Sequence, residues 1–241
     1  MLTERGGGAA AREGALLVMA APHPFPFVNG AIAVDSGEDF EGTLERANSF
    51  FAKHDRPRWT LFTRETGEDE ALEEAARSRG MEIVNPHYPE MICRERVAET
   101  ADEGAVELRE VGSTEDARAY WRICATAYES LGFPRELFEG YPAAMLNPPV
   151  FGCLAWSDAE RVGAAMGIVL EGVGLVFWVG SLPAARGRGI GAAVTAWVTN
   201  RAFDEGADFV SLQASPMGLS VYERLGYERV FDYRVWRVGA T

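Results

Sequence analysis

Apolar and polar positions along this 241-residue chain fall into two periods, one helical and one alternating, and these separate its elements. Leu44, Ala47, Phe50 and Phe51 recur at the helical period and predict a helix over 39–54. "RWTLFTR" (58–64) reads as a strand, and "DEALEEAARSRG" (69–80) as a helix stopped by Gly80. Shorter strands are expected near 15–21 and 30–34, and "MEIVNPHYPEMICRER" (81–96) reads as one or two strands. After the polar, acidic stretch 98–105, a strand is expected at 105–111 and helices at 114–130 and 134–146. Three strand-like runs follow, 150–157, 161–170 and 173–181, with turn residues Asp158, Gly172 and Gly174 between them. Ile190, Val194, Trp197 and Val198 form one apolar stripe, so a helix runs from there to Gly206. "DFVSLQAS" (208–215) is a strand, Ser215 can cap a helix whose first residue is Pro216 and which Gly226 closes, and 227–238 is a final strand.

The order contains a repeat. A helix, "RWTLFTRE", a helix and "RGMEIV" are echoed by a helix, "DFVSLQAS", a helix and "LGYERV". Both second helices end at a glycine, Gly80 or Gly226, followed by a large apolar residue, Glu, any residue and Val. The expected organisation is a disordered start at 1–13, a first domain at 14–98, a linker at 99–104 and a second domain at 105–241.

Charge narrows the partners. The formal net charge is −13, which repels nucleic acid and anionic lipid and attracts cations such as amines. Residues 1–104 carry 20 acids against 11 bases, and residues 105–241 carry 16 against 12. Lys53 is the only lysine, and the abundance of Arg, Ala and Gly suits a high-GC bacterial genome. Cys93, Cys124 and Cys153 are odd in number and far apart, which suits reduced thiols in the cytoplasm. The apolar run from Ala15 to Ala21 is too short to span a bilayer. His23, His54 and His87 show no metal or triad spacing; they read as structural, and no metal is expected.

The densest chemistry lies in "SLPAARGRGIGAAVTAW" (181–197), where Arg186, Gly187, Arg188, Gly189 and Gly191 stand at the mouth of a helix. The first four N–H groups of a helix have no internal acceptor and carry partial positive charge, and glycines let an anion approach them. The P-loop spacing is absent. A dinucleotide fingerprint fits literally at Gly187, Gly189 and Ala192, with Asp208 21 residues beyond Gly187. However, "SLPAAR" separates the loop from its strand, and only 54 residues follow Gly187.

Arg186, Gly189 and Gly191 also meet the pattern Arg-x-x-Gly-x-Gly, and with "SLQAS" and "VYERLGY" at their distances the stretch 178–236 resembles the GNAT family of acetyl-CoA-dependent N-acetyltransferases. The resemblance implies an α+β fold, a mostly antiparallel mixed sheet flanked by helices, in tandem with a degenerate first half. It implies acetyl-CoA lying between the strands 173–181 and 208–214, held by Trp178, Val179, Gly180, the loop from Arg186 through Gly187, Arg188, Gly189 and Ile190 to Gly191, and Ser215. The Val179 N–H would polarise the thioester carbonyl, and Tyr222 would protonate the leaving thiolate. The strand before the loop has no acid, so Glu171 at its start and Glu129 at the end of the first helix of this half are the candidate bases, with a water chain as the alternative. The counterpart of the loop in the first half, "DSGEDFEG" (35–42), carries four acids and no base, so that half is expected to be structural. "APHPFPFVNGA" (21–31) reads as a rigid buried loop or as a wall of the substrate cleft. The expected acceptor is a primary amine on a small molecule, and the expected state is a monomer or homodimer. The rival classes are a non-catalytic acyl-CoA-binding protein and a dinucleotide-binding module.

Overall fold

The computed structural model describes residues 7–35, 39–98, 106–139 and 145–238. The chain divides into two compact units, residues 1–89 with 231–241, and residues 90–230.

The first unit contains β1 (Ala9–Glu13), β2 (Leu16–Ala20), β3 (Gly30–Ala33), α1 (Phe40–Lys53), β4 (Trp59–Arg64), α2 (Glu70–Ser78), most of β5 (Glu82–Cys93) and, from the far end of the chain, most of β11 (Glu228–Val238). Its strands lie in the order β1-β2-β3-β4-β11-β5. β3 and β4 are parallel, whereas β11 runs antiparallel to β4, from Tyr233 opposite Arg64 to Val238 opposite Trp59.

The second unit contains the end of β5, then β6 (Glu107–Glu110), α3 (Thr114–Glu129), β7 (Val150–Ser157), β8 (Glu160–Leu170), β9 (Val173–Ser181), α4 (Ile190–Asp204), β10 (Phe209–Gln213) and α5 (Leu219–Arg224). The order here is β5-β10-β9-β8-β7-β6. β9 and β10 are parallel, and the other pairs are antiparallel.

The repeat is therefore topological. β2, β3, α1, β4, α2 and β5 follow the same course as β8, β9, α4, β10, α5 and β11: an antiparallel pair, a helix, a parallel strand, a helix and a last strand. The last strands are exchanged. Glu90 to Cys93 of β5 pair with β10, and Tyr233 to Val238 of β11 pair with β4. This is why the compact units divide at Pro89 and again at Val230, whereas sequence order alone suggests a division at 99–104, which lies outside the described residues.

Two expectations need correction. Ala9–Glu13 form β1, paired with Leu16–Ala20, where disorder was expected; residues 1–6 lie outside the described residues. The expected helix 134–146 is a short 3-10 turn at Arg135–Phe138, entered from Pro134 in extended conformation. Residues 140–144 lie outside the described residues.

The first unit is held by a core of Leu16, Leu44, Leu61, Leu72 and Phe51, with Phe51 stacked on Trp59 at 4.6 Å. A buried polar chain ties β11 into it. Trp236 Nε1 donates to Thr63 Oγ1 at 2.9 Å, Thr63 donates to Glu73 at 2.8 Å, and Arg234 and Arg77 both bond the same carboxylate. The loop 21–29 is pinned by Asn29, fully buried, which accepts from the Ala21 N–H and donates to the carbonyls of His23 and Phe25.

Trp236 is 1% exposed, so Trp236→Ala removes a large core side chain and the donor to Thr63. We expect a loss of about 3–5 kcal/mol in urea denaturation; a loss below about 1 kcal/mol would show that β11 is not integral to the first unit.

Candidate active site

β9 and β10 are paired only at their starts. Phe209, Val210 and Ser211 face Val173, Gly174 and Leu175, and the parallel pairing ends there, leaving a gap in the ladder between the far half of β9 and the end of β10. On its other side β9 bulges. Its register with β8 runs from Leu170↔Val173 to Met166↔Phe177 and resumes at Ala164↔Gly180, so Ala165 faces both Trp178 and Val179. The extra residue inverts the alternation of faces. A side chain at Gly174 would meet Ala202 of α4, whereas one at Gly180 would meet Ala127 of α3 at 2.9 Å.

Trp178 carries the distortion, with φ 53°. Such a backbone in a bulky residue costs about 1–3 kcal/mol and persists only where its surroundings fix it. Here the Trp178 carbonyl accepts from Tyr120 Oη at 2.8 Å and from Cys124 Sγ at 3.4 Å, both on α3. Its ring is packed by Tyr128, Phe133 and Phe138 at 5.2–5.8 Å. A trans peptide sets its N–H opposite its carbonyl, so the Val179 N–H is directed away from α3. Burial pushes the Tyr120 hydroxyl well above its usual pKa and the Cys124 thiol up to about 12, so both remain protonated donors.

The loop before α4 is open. Gly187 and Gly189 have φ 74° and 76°, and Gly189 is the N-cap of α4, with no side chain bonding the free amides. A Cβ at Gly187, Gly189 or Gly191 would meet nothing within 4 Å, so the glycines serve the backbone turn and leave the space in front of the amides clear. Arg186 and Arg188 are exposed, and each is tethered by one bond, to the Ala127 carbonyl at 3.3 Å and to Ser157 Oγ at 3.1 Å. The matching helix of the first unit differs. Asp39 caps α1 with its own carboxylate, accepting from the Gly42 N–H at 2.9 Å; residues 36–38 of that loop lie outside the described residues.

Tyr222 sits on α5, 8% exposed, with its ring against Gly218 and 6.0 Å from the ring of Tyr227. Burial raises its pKa to about 12. Ser215 caps a turn one step earlier than expected: its hydroxyl and carbonyl accept from the Gly218 N–H, and α5 begins at Leu219 and not at Pro216.

Of the two acids named as candidate bases, Glu171 is far from this point. Glu171 is exposed in the β8–β9 turn, where it and Gly172 have φ 50° and 80°, as a two-residue hairpin of this kind requires. It lies eight residues from Val179, about 26 Å along an extended strand. Glu129 ends α3, is 62% exposed and pairs with Arg135 at 3.6 Å.

An acid that went unnoticed in the sequence does lie beside the gap. Glu90, on β5, stands opposite Gln213 of β10 and accepts from the side chains of Ser211 and Gln213. Burial raises its pKa, and the two donors moderate the rise. No local pattern marks it, because its partners are 121 and 123 residues away. His87 has partners that spacing does not show: in the first unit its Nδ1 lies 3.1 Å from Asp232 and 3.9 Å from Glu65. Cys93, Cys124 and Cys153 are free and buried. A cleft of about 720 Å³ opens between α3 and the 3-10 turn, lined by Arg118, Trp121, Arg122, Arg135 and Phe138, and includes no residue of the glycine loop, β9 or β10.

A mixed sheet opened beside a bulged strand, with an uncapped glycine-rich helix start at the gap, is the architecture of the acyl-CoA N-acyltransferases. Residues 115–227 match the model of the "Acetyltransferase (GNAT) family", and the chain carries a GNAT acetyltransferase domain over that stretch. Its fold is shared over nearly the whole length by solved structures. A GCN5-related N-acetyltransferase from Kribbella flavida is 24% identical, with a TM-score of 0.78 over 97% of this chain and 90% of that one. One from Sphaerobacter thermophilus is 16% identical, with a TM-score of 0.66 over 93% and 80%. A tandem GNAT protein from the clavulanic acid biosynthesis pathway is 16% identical, with a TM-score of 0.64 over 95% and 80%. No curated protein sequence matches significantly. No helix among the described residues is long and apolar enough to cross a membrane.

Tyr120→Phe deletes the shorter of the two bonds to the Trp178 carbonyl. The variant should lose about 1 kcal/mol of stability in denaturant; no loss would mean that the Cys124 bond and packing suffice to hold the bulge.

Proposed function

We propose that this protein transfers the acetyl group of acetyl-CoA to a primary amine on a small molecule. The observation that carries the reading is the open, uncapped start of α4 beside the gap between β9 and β10. The N–H groups from Gly187 to Gly191 bind the donor's pyrophosphate, with the Arg186 and Arg188 side chains adding full charges and the helix its partial one. The edge from Trp178 to Gly180 pairs with the pantetheine arm as an added strand would, and Ser215 belongs to the same donor site. Family membership supports an acyl-CoA donor; acetyl in particular, and the amine acceptor, are part of this reading.

The Val179 N–H is the donor that polarises the thioester carbonyl. Oxyanion donors of this kind are worth about 3–4 kcal/mol. Tyr222 gives its proton to the departing thiolate, and its burial keeps it protonated until pH approaches 12. The net charge of −13 favours a cationic acceptor in the encounter. The first repeat takes no donor, since the Asp39 carboxylate already occupies the matching helix start and an anion there would be repelled. The exposure of Glu171 in its turn and the pairing of Glu129 with Arg135 favour one rival reading, an acyl-CoA binder that performs no transfer, and the same experiment separates the two.

Thiol release from acetyl-CoA, with methylamine as acceptor, should fall about 10²–10⁴-fold in Tyr222→Phe with acetyl-CoA affinity retained. An unchanged rate would remove Tyr222 from the chemistry, and no amine-dependent release by the unmodified protein would leave only the binder. Because burial raises the tyrosine pKa, the acid form is the one present at neutral pH, and no alkaline loss attributable to Tyr222 is expected below pH 10.

A further inference from the structure

We infer that Glu90, carried by the last strand of the first repeat, is the general base that takes the proton from the attacking amine. This rests on the acetyl-transfer reading above and supplies the group missing from it. β9 bears no acid, Glu171 is exposed in the turn before it, and the Glu129 carboxylate is exposed and paired with Arg135. The exchange of last strands places β5 next to β10, and Glu90 is the acid of that ladder, opposite Gln213.

Its face suits the task. Val210, Leu212 and Ala214 are buried in one core with Ile190, Val194 and Tyr222, so Ser211 and Gln213 point to the opposite face. Glu90 bonds both of them and therefore lies on that face, which is the face on which α3 packs and the Trp178 ring sits. Tyr222 is on the other. A base on one face and an acid on the other let the amine enter and the thiolate leave without competing for the same space.

Gln213 lies two residues beyond Ser211, the last residue of β10 paired with β9, and Glu90 stands opposite it on the next strand. A carboxylate has about four lone-pair sites, and Ser211 and Gln213 use two, so each oxygen retains one for the substrate.

The step balances. The amine nitrogen bonds to the acetyl carbon, the carbon–sulfur bond breaks, Glu90 receives the ammonium proton, and the thiolate receives the Tyr222 proton. Glu90 then loses its proton to solvent, and Tyr222 regains one. The side chains of β10 that meet Glu90, Ser211 and Gln213, are uncharged. Burial therefore dominates, which leaves a stronger base than an exposed glutamate.

Three proteins are compared with acetyl-CoA and methylamine: the unmodified chain, Glu90→Gln and Ser211→Ala. Thiol release is followed against pH at constant concentration of the unprotonated amine, and acetyl-CoA binding by calorimetry. Glu90→Gln should bind acetyl-CoA as the unmodified chain does, and lose about 10²–10⁴-fold in rate. The unmodified chain should lose rate as pH falls through the raised Glu90 pKa. Ser211→Ala removes a donor that lowers that pKa, so its acid limb should move to higher pH, a shift that a merely structural glutamate would not give. Glu90→Gln within about threefold of the unmodified rate, an unmoved limb in Ser211→Ala, or acetyl-CoA binding without amine-dependent release would each overturn the inference. Absence of acetyl-CoA binding to the unmodified chain would instead overturn the donor-site reading itself.

Discussion

The peptide between Trp178 and Val179 is the constraint on which the second unit is organised. Tyr120 and Cys124 hold its carbonyl out of the ladder, and three consequences follow. β9 gains a residue against β8, its faces invert, and its far half can no longer continue a parallel ladder with β10. The inversion brings Gly180 under α3, where a side chain would meet Ala127, and so lets the helix pack close to the strand. An aromatic ring set, Tyr128, Phe133 and Phe138, covers Trp178 and offsets the strain. The gap opens where the start of α4 offers its free amides.

The exchange of β5 and β11 acts at a larger scale. Each repeat ends in a strand that completes the other's parallel pair, so the first compact unit takes its last strand from the far end of the chain and the second begins within β5. Duplication followed by loss of the donor site in one copy is a simple history for such an arrangement, and the acid-capped start of α1 beside the uncapped start of α4 fits it. The degenerate copy still supplies β5, and with it Glu90.

Much of the fold was legible because local periodicity is set by burial on one face. β7 and β9 occupy the spans that alternation marks, and the helix at the glycine loop begins where its apolar stripe begins. The loop itself was legible because glycines and arginines declare their use within six residues. Ladder partners were not, since a strand's sequence encodes which face is buried and not which strand lies beside it. Glu90 and His87 were lost for that reason: one reads as an ordinary strand residue and the other as an isolated histidine until Ser211 and Asp232 arrive from far along the chain. Glu171 misled in the opposite way. It adjoins the right strand, but at the end farthest from the bulge, and the bulge has no signature in "GLVFWVGS" beyond a tryptophan where a left-handed backbone is least expected.

The most direct measurement is a calorimetric titration of acetyl-CoA into the full chain, with NADH in a parallel cell. One acetyl-CoA per chain and no heat with NADH is the expected result, since α4 offers free amides to pyrophosphate and α1 does not. No binding of acetyl-CoA, or two molecules per chain, would contradict it: the first would deprive the gap between β9 and β10 of its ligand, and the second would mean that the Asp39-capped half is as competent as the other.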